Sequence, residues 1–110
     1  TILKFKQYNL ISQDCNFDLA LEKHIPIGAG LGGGTSDAAI FAKYLIEKFS
    51  LKLKLEVLEK ILLEIGSDVA VCYNQINGYF SGLGSIVTKP VILPKIHMLL
   101  VKPEANLLTK

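Results

Sequence analysis

The stretch "PIGAGLGGGTSDAA", residues 26–39, decides the fold, because it holds five of the nine glycines in a chain of 110 residues. Residues 16–25 directly before it, "NFDLALEKHI", alternate between apolar and polar side chains, which predicts a half-buried strand. After it, apolar residues recur at the three-and-four spacing of an amphipathic helix, at Ala38, Ala39, Phe41, Ala42, Leu45, Ile46 and Phe49. The predicted order is therefore strand, glycine loop, helix.

A glycine cluster of this density needs a physical reason, because glycine loses more backbone freedom on folding than any other residue. Without Cβ atoms, a loop can adopt positive φ values and bring its N–H groups close to a ligand. A helix that begins just behind the loop adds unpaired N–H donors and a partial positive charge. Together these features predict an anion site, and phosphate is the usual ligand of such a site.

Three simpler interpretations of the loop fit less well. A GxxxxGK phosphate loop needs a lysine, and none occurs between Lys23 and Lys43. The dinucleotide fingerprint GxGxxG is met by Gly28, Gly30 and Gly33, and it stays open as a minor alternative, although a lysine-rich turn and another helix follow where a second strand ending in an acid is expected. A plain turn needs only one or two glycines.

The stretch resembles the phosphate-binding motif of the GHMP kinases, P-x-G-x-G-L-G followed by small residues and a helix start. Its longer form, with GLGGG, a Ser/Thr pair, an acid and two alanines, is most similar to the GHMP kinases that act on 4-diphosphocytidyl-2-C-methyl-D-erythritol. Residues 62–88, "LLEIGSDVAVCYNQINGYFSGLGSIVT", resemble a second segment of the same family, in the right order along the chain.

The resemblance implies which residues form the site. It assigns ATP binding to Pro26, Gly28, Gly30, Leu31, Gly32, Gly33, Gly34, Thr35 and Ser36. It places Asp68 at the family's catalytic aspartate, which orients the attacking hydroxyl; a local turn after the helix is the alternative. ATP and Mg²⁺ are the implied cofactors, and no residue is assigned to the metal.

Other side chains near the loop receive structural interpretations. Thr35 or Ser36 is expected to cap the helix, with a role toward Mg²⁺ or phosphate as the alternative. Asp37 is expected to favour the helix dipole, and Lys23 to be a solvated charge at the end of the strand.

Three positions depart from the family pattern. Thr35 stands where the family often has Ser, Ser67 where it has Ala, and Ala70 where it has Pro. Loss of the proline predicts a less rigid backbone just after Asp68.

The implied fold is α+β, with helices on one side of a largely antiparallel sheet and a βαβ crossover of the uncommon left hand. A second helix is predicted through Leu55, Leu58, Ile61, Leu62 and Ile65, closed by Gly66 in the left-handed conformation. Strands are predicted at residues 69–73, 79–88 and 95–103, and residues 1–12 fit a helix or a strand. Residues 1–95 are assigned to the ATP-binding N-terminal domain and residues 96–110 to the start of the C-terminal domain.

Composition is typical of a well-packed globular domain. Apolar residues make up 50% of the chain, the formal charge is only +2, and no run approaches the ~18 apolar residues of a membrane helix. We therefore expect no nucleic-acid or membrane partner. Cys15 and Cys72 match no metal or redox spacing, so reduced thiols and a cytoplasmic location are expected, while the oligomeric state is left open.

The predicted reaction of the intact enzyme is ATP-dependent phosphorylation of the 2-hydroxyl of 4-diphosphocytidyl-2-C-methyl-D-erythritol, in the non-mevalonate isoprenoid pathway. The chain resembles the middle part of such an enzyme and is expected to lack turnover alone. A homoserine or mevalonate type of GHMP kinase, or a non-catalytic nucleotide-binding remnant, is the alternative.

Overall fold

The computed structural model describes residues 1–81, 85–86 and 91–101. Its elements are four helices and one short hairpin: α1 (Ile2–Gln7), α2 (Gly33–Lys48), α3 (Leu55–Ile65), α4 (Val69–Asn74), β1 (Phe80–Ser81) and β2 (Ser85–Ile86). The two strands pair antiparallel, with Phe80 opposite Ile86 and Ser81 opposite Ser85.

The core lies between the helices. Its buried residues are Phe5, Ile11, Ala39, Ala42, Leu45, Ile61, Leu62, Val69 and Ala70. Helix α2 packs mainly against α4, and α4 also packs against α3. Small side chains on the buried face of α2, at Ala39 and Ala42, let the backbones of the two helices approach closely. This packing fixes the direction of α2, and therefore where its N-terminus points.

The two long helices confirm the periodicity, with one correction at the end of α3. Helix α3 covers the five predicted apolar positions and ends at Gly66. The glycine has φ 174° and ψ 146°, so the predicted left-handed conformation is wrong. Because this is extended backbone, α3 ends without the left-handed cap that glycine favours. Helix α1 decides the ambiguous start of the chain in favour of a helix.

The strand predicted at residues 16–25 does not form. Leu19 and Leu21, expected on the buried face, are 59% and 66% exposed. Phe17 packs against the helices through edge-to-face contacts with Phe41 and Phe49, at centroid distances of 5.8 and 6.3 Å. A strand satisfies its backbone only by pairing with another strand, and the described residues offer this segment no such neighbour.

Within the described residues, the predicted sheet is therefore reduced to a hairpin of two strands with two residues each. The helical part of the α+β expectation holds, while the sheet and its left-handed crossover are not formed by the described residues. Residues 91–101 have no regular structure, which includes the described part of the strand predicted at 95–103. The hairpin falls within the strand predicted at 79–88, and residues 82–84 of that prediction lie outside the described residues.

The strand predicted at residues 69–73 is wrong, because Val69–Asn74 form helix α4. Val69 and Ala70 enter the core, and the Cys72 N–H donates to the Asp68 carbonyl at 3.0 Å. Strand propensity in a short valine-rich run depends on its neighbours, and here those neighbours are helices.

Candidate functional site

The glycine loop is held by backbone conformation rather than by side chains. Gly28, Gly30 and Gly32 all have left-handed φ values, of 72°, 71° and 67°. A Cβ built on any of them meets nothing within 4 Å, so the φ angle and not lack of space requires glycine there. Gly32 is the last of them and is also the N-cap residue of α2, so the loop turns directly into the helix.

The loop encloses a cavity of about 290 Å³, lined by Lys23 and residues 25–35. All the predicted ATP-binding residues from Pro26 to Thr35 line it, and Ser36 does not. The sequence prediction thus identified a set of residues that share one concave surface.

The first turn of α2 points free donors at this cavity. The Ser36 N–H donates to the Gly32 carbonyl at 2.9 Å, which is the first helical bond. The N–H groups of Gly33, Gly34 and Thr35 precede that bond and have no partner four residues back. They lie at the positive end of a 16-residue helix. The arrangement favours an anion.

The predicted capping role of Thr35 or Ser36 is wrong. The helix begins two residues before Thr35, so both side chains lie inside its first turn, and no side chain caps α2. The predicted start was late because the apolar periodicity begins only at Ala38. The Thr35 side chain is therefore not used for capping, and Thr35 lines the cavity.

Gly33 and Gly34 differ from the other loop glycines. Neither has a left-handed φ. A Cβ on Gly33 would lie 3.6 Å from Ile25 Cβ, an ordinary contact, and a Cβ on Gly34 would meet nothing within 4 Å. The fold itself therefore does not require glycine at either position.

An ion pair between Lys23 and Asp37 stands at the base of the loop. Lys23 lines the cavity, and its ammonium would lie 3.6 Å from a Cβ on Gly33. Sequence reasoning assigned neither residue to the site. The available signal was that Lys23 shares the alternating face of Phe17 and Ile25, where a charge predicts a partner.

Asp68 lies at the N-terminal end of α4 and outside the cavity lining. Its carboxylate makes no cap bond to its helix and accepts a hydrogen bond from the Ser67 hydroxyl at 3.3 Å. The Val69 N–H donates to the Gly66 carbonyl at 3.0 Å, and Ala70 is buried. The loosening expected from the missing proline and the catalytic role of Asp68 both stay predictions.

A family model described as the GHMP kinases N terminal domain matches residues 1–75. The chain belongs to the GHMP kinases. The predicted boundary of the N-terminal domain at residue 95 lies beyond the matched residues and stays a prediction.

Individual GHMP kinases point to one group within the family. The chain is 42% identical to the 4-diphosphocytidyl-2-C-methyl-D-erythritol kinase of Pediococcus pentosaceus over 83% of this chain and 32% of that protein. It is 39% identical to the enzyme of the same name from Bacteroides fragilis over 100% of this chain and 42% of that protein, and 37% identical to the one from Bacteroides thetaiotaomicron over 98% and 41%. The chain thus spans well under half the length of these relatives. No solved structure matches it significantly.

The described part of this GHMP kinase offers no dedicated metal site. It contains no group of three or more His, Cys, Asp or Glu side chains that could hold an ion. Mg²⁺ in phosphoryl-transfer sites needs only one or two protein oxygens when phosphates supply the rest, and Thr35 brings a hydroxyl to the cavity lining. None of the helices described is long and apolar enough to cross a membrane.

Proposed function

We propose that this chain forms the triphosphate-binding part of a kinase that transfers the γ-phosphoryl group of ATP to the 2-hydroxyl of 4-diphosphocytidyl-2-C-methyl-D-erythritol. The single observation that supports phosphate binding is the pair Gly33 and Gly34. Both line the cavity at the head of α2, and neither is glycine for a reason internal to the fold. A ligand that touches the backbone explains the absence of both Cβ atoms.

The choice of substrate is supported by the relatives. The 4-diphosphocytidyl-2-C-methyl-D-erythritol kinases that match are 33% to 42% identical to this chain. The substrate is therefore inferred from similarity alone. Homoserine and mevalonate kinases are the alternatives within the family, and a substrate comparison separates them.

In the proposed mechanism, the protein positions and neutralises the phosphates. The N–H groups of Gly33, Gly34 and Thr35 donate to phosphate oxygens, and the α2 dipole favours their charge. Mg²⁺ bound to the phosphates would neutralise further charge, with the Thr35 hydroxyl as its protein ligand. Asp68 orients the acceptor hydroxyl and takes its proton late in transfer, since an alcohol gives up its proton readily only once its oxygen has begun to bond to phosphorus. Cys15 and Cys72 are both free thiols, which supports a reducing compartment such as the cytoplasm.

Nucleotide binding by this chain is the direct test. We expect the 110-residue chain to bind a non-hydrolysable ATP analogue, Gly32→Val to abolish that binding, and Asp68→Asn to leave it unchanged. Valine at Gly32 cannot adopt the left-handed φ without strain. Equal binding by wild type and Gly32→Val would contradict the phosphate site.

Catalysis is tested in a protein of the relatives' length. All of this chain matches a stretch of the Bacteroides fragilis kinase, so the chain can replace that stretch in the enzyme. We expect the chimera to phosphorylate 4-diphosphocytidyl-2-C-methyl-D-erythritol, and its Asp68→Asn variant to lose turnover while it still binds the nucleotide. The chain alone is expected to show no turnover, and measurable turnover would contradict that expectation.

A non-catalytic nucleotide-binding role is the second candidate. The observation in its favour is that Asp68 does not line the cavity and has only the Ser67 hydroxyl as a side-chain partner among the described residues. In that case the chimera binds the nucleotide analogue and shows no turnover with either Asp or Asn at position 68.

A further inference from the structure

We infer that Lys23 and Asp37 are positioning residues whose ion pair clamps the two ends of the glycine loop and thereby fixes the shape of the cavity. The consequence for nucleotide affinity rests on the proposed function, whereas the consequence for the loop itself does not.

The two residues occupy the two ends of the loop. Lys23 immediately precedes residues 24–36, and Asp37 immediately follows them. Between them lie five of the nine glycines, so this is the stretch of the described chain with the largest conformational freedom to lose. A contact that joins the ends of a flexible loop removes much of that freedom. The ion pair makes this contact directly between side chains.

The segment before the loop lies against the N-terminal part of α2, and the ion pair is one of two contacts that join it there. The other is apolar, since Ile25 lies against Gly33, 3.6 Å from where a Cβ would stand. Apart from the first helical bond, from the Ser36 N–H to the Gly32 carbonyl, the one backbone hydrogen bond found within the described loop is the weak one from the Ala29 N–H to the Pro26 carbonyl at 3.3 Å. The loop therefore depends on the contacts at its base.

Electrostatics agrees with a clamp. Asp37 is the fifth residue of α2, just past its first turn, where an unpaired carboxylate would still repel a phosphate bound at the N-terminus of the helix. Pairing with Lys23 cancels that charge. The side chains are 24% and 37% exposed, so the pair is only partly screened by solvent. The neighbouring acid, Glu22, is close to His24 instead, at 3.6 Å, and both of those side chains point into solvent.

The first measurement is amide hydrogen exchange of the full chain with no nucleotide present. We expect Asp37→Asn and Lys23→Met to speed exchange of the loop amides at residues 27–34 about two- to five-fold, the range for a partly exposed ion pair. Exchange in α3 should stay unchanged. Glu64→Gln is the matched control, because it removes a surface ion pair with Lys4 that lies away from the loop, and it should leave loop exchange unchanged.

The second measurement is rescue by exchange of the charges. The double variant Lys23→Asp with Asp37→Lys keeps an ion pair at the same place, so loop exchange should return toward the wild-type rate. A merely structural disturbance at either position would add up in the double variant rather than cancel. Loop exchange in Asp37→Asn equal to wild type, or no recovery in the double variant, would overturn the clamp.

The third measurement is affinity for a non-hydrolysable ATP analogue, where Lys23→Met should weaken binding by at least the same two- to five-fold factor, because it breaks the ion pair and also leaves the Asp37 carboxylate unpaired. Loop exchange can respond as expected while neither the wild type nor any variant binds the analogue. That outcome would support the clamp and contradict the proposed function. If Asp37→Asn unfolds the chain, as lost protection in α3 would reveal, Lys23→Met provides the same comparison.

Discussion

The substitution Gly34→Ala should change stability and nucleotide affinity in opposite directions, so it tests separately whether the fold or a ligand requires glycine at this position. Gly34 is the second residue of α2, its φ is not left-handed, and a Cβ there meets nothing within 4 Å. Alanine restricts the unfolded chain more than glycine does, at a position whose conformation it accepts. The variant should therefore be more stable than wild type by about 0.4–1 kcal/mol.

The same methyl group should harm nucleotide binding. Gly34 lines the cavity, so its Cβ occupies space beside the N–H groups that bind phosphate in the proposed site. Loss of one hydrogen bond to a charged oxygen costs about 1.5–3 kcal/mol. Affinity for a non-hydrolysable ATP analogue should therefore fall roughly ten- to one-hundred-fold.

The assay combines urea denaturation with calorimetric titration of the analogue on the same protein samples. Gly32→Ala is the matched control, because the substitution is identical but φ is 67°. It should lower stability by about 1–2 kcal/mol as well as binding. Wild-type affinity in Gly34→Ala would refute the reasoning that a ligand touches this backbone, and a loss of stability would refute the reasoning about the helix.

Three further predictions concern the fold. Leu45→Ala should lower the free energy of unfolding by about 2–5 kcal/mol, since Leu45 is fully buried, and a urea denaturation midpoint measures this. Leu21→Lys should change it by less than about 0.5 kcal/mol because Leu21 is 66% exposed, and a loss of several kcal/mol would mean that residues 16–25 form a buried strand after all. Hydrogen bonds, first from Tyr8 and then from Lys4, hold the pKa of Glu64 below its ordinary value. The contribution of Glu64 to stability should therefore be complete at pH values above the ordinary pKa of about 4.3. It should be lost as the pH falls through the lower pKa of Glu64 in the folded state. Urea midpoints between pH 7 and pH 3 should therefore fall less in Glu64→Gln than in wild type.

The two long helices, α2 and α3, could be predicted from sequence because their information is local. The apolar spacing of α3 from Leu55 to Ile65 is contained in one segment, and each helical hydrogen bond joins residues four apart. The strand at residues 16–25 had an equally clear pattern, yet a strand needs a second strand, and no pattern within the segment supplies one. Val69–Asn74 shows the same limit from the other side, since packing of Val69 and Ala70 among helices overrides the strand preference of the residues.

The residues of the candidate site could also be predicted only in part. The loop residues were identified because glycine density is visible in the sequence. The sequence does not show which of these glycines the fold itself requires. Only the backbone angles and the neighbouring atoms distinguish Gly32, which needs glycine for its left-handed φ, from Gly34, which does not. The Lys23–Asp37 pair was missed because the residues were interpreted one at a time, as a strand-end charge and a helix-dipole acid. A lysine on an otherwise apolar face, with an acid just beyond the loop, is a pattern that predicts such a pair.

Binding and catalysis depend on different parts of this architecture. The cavity is built from contacts close in sequence: left-handed glycines, the head of α2, and an ion pair between residues 23 and 37. It therefore forms although the described residues do not form the predicted sheet. Asp68 relates to the cavity only through the packing of α4 on α2, where Val69 and Ala70 share a core with Ala39 and Ala42. Changes in that core should alter the position of the carboxylate relative to the loop, and so affect phosphoryl transfer more than nucleotide affinity.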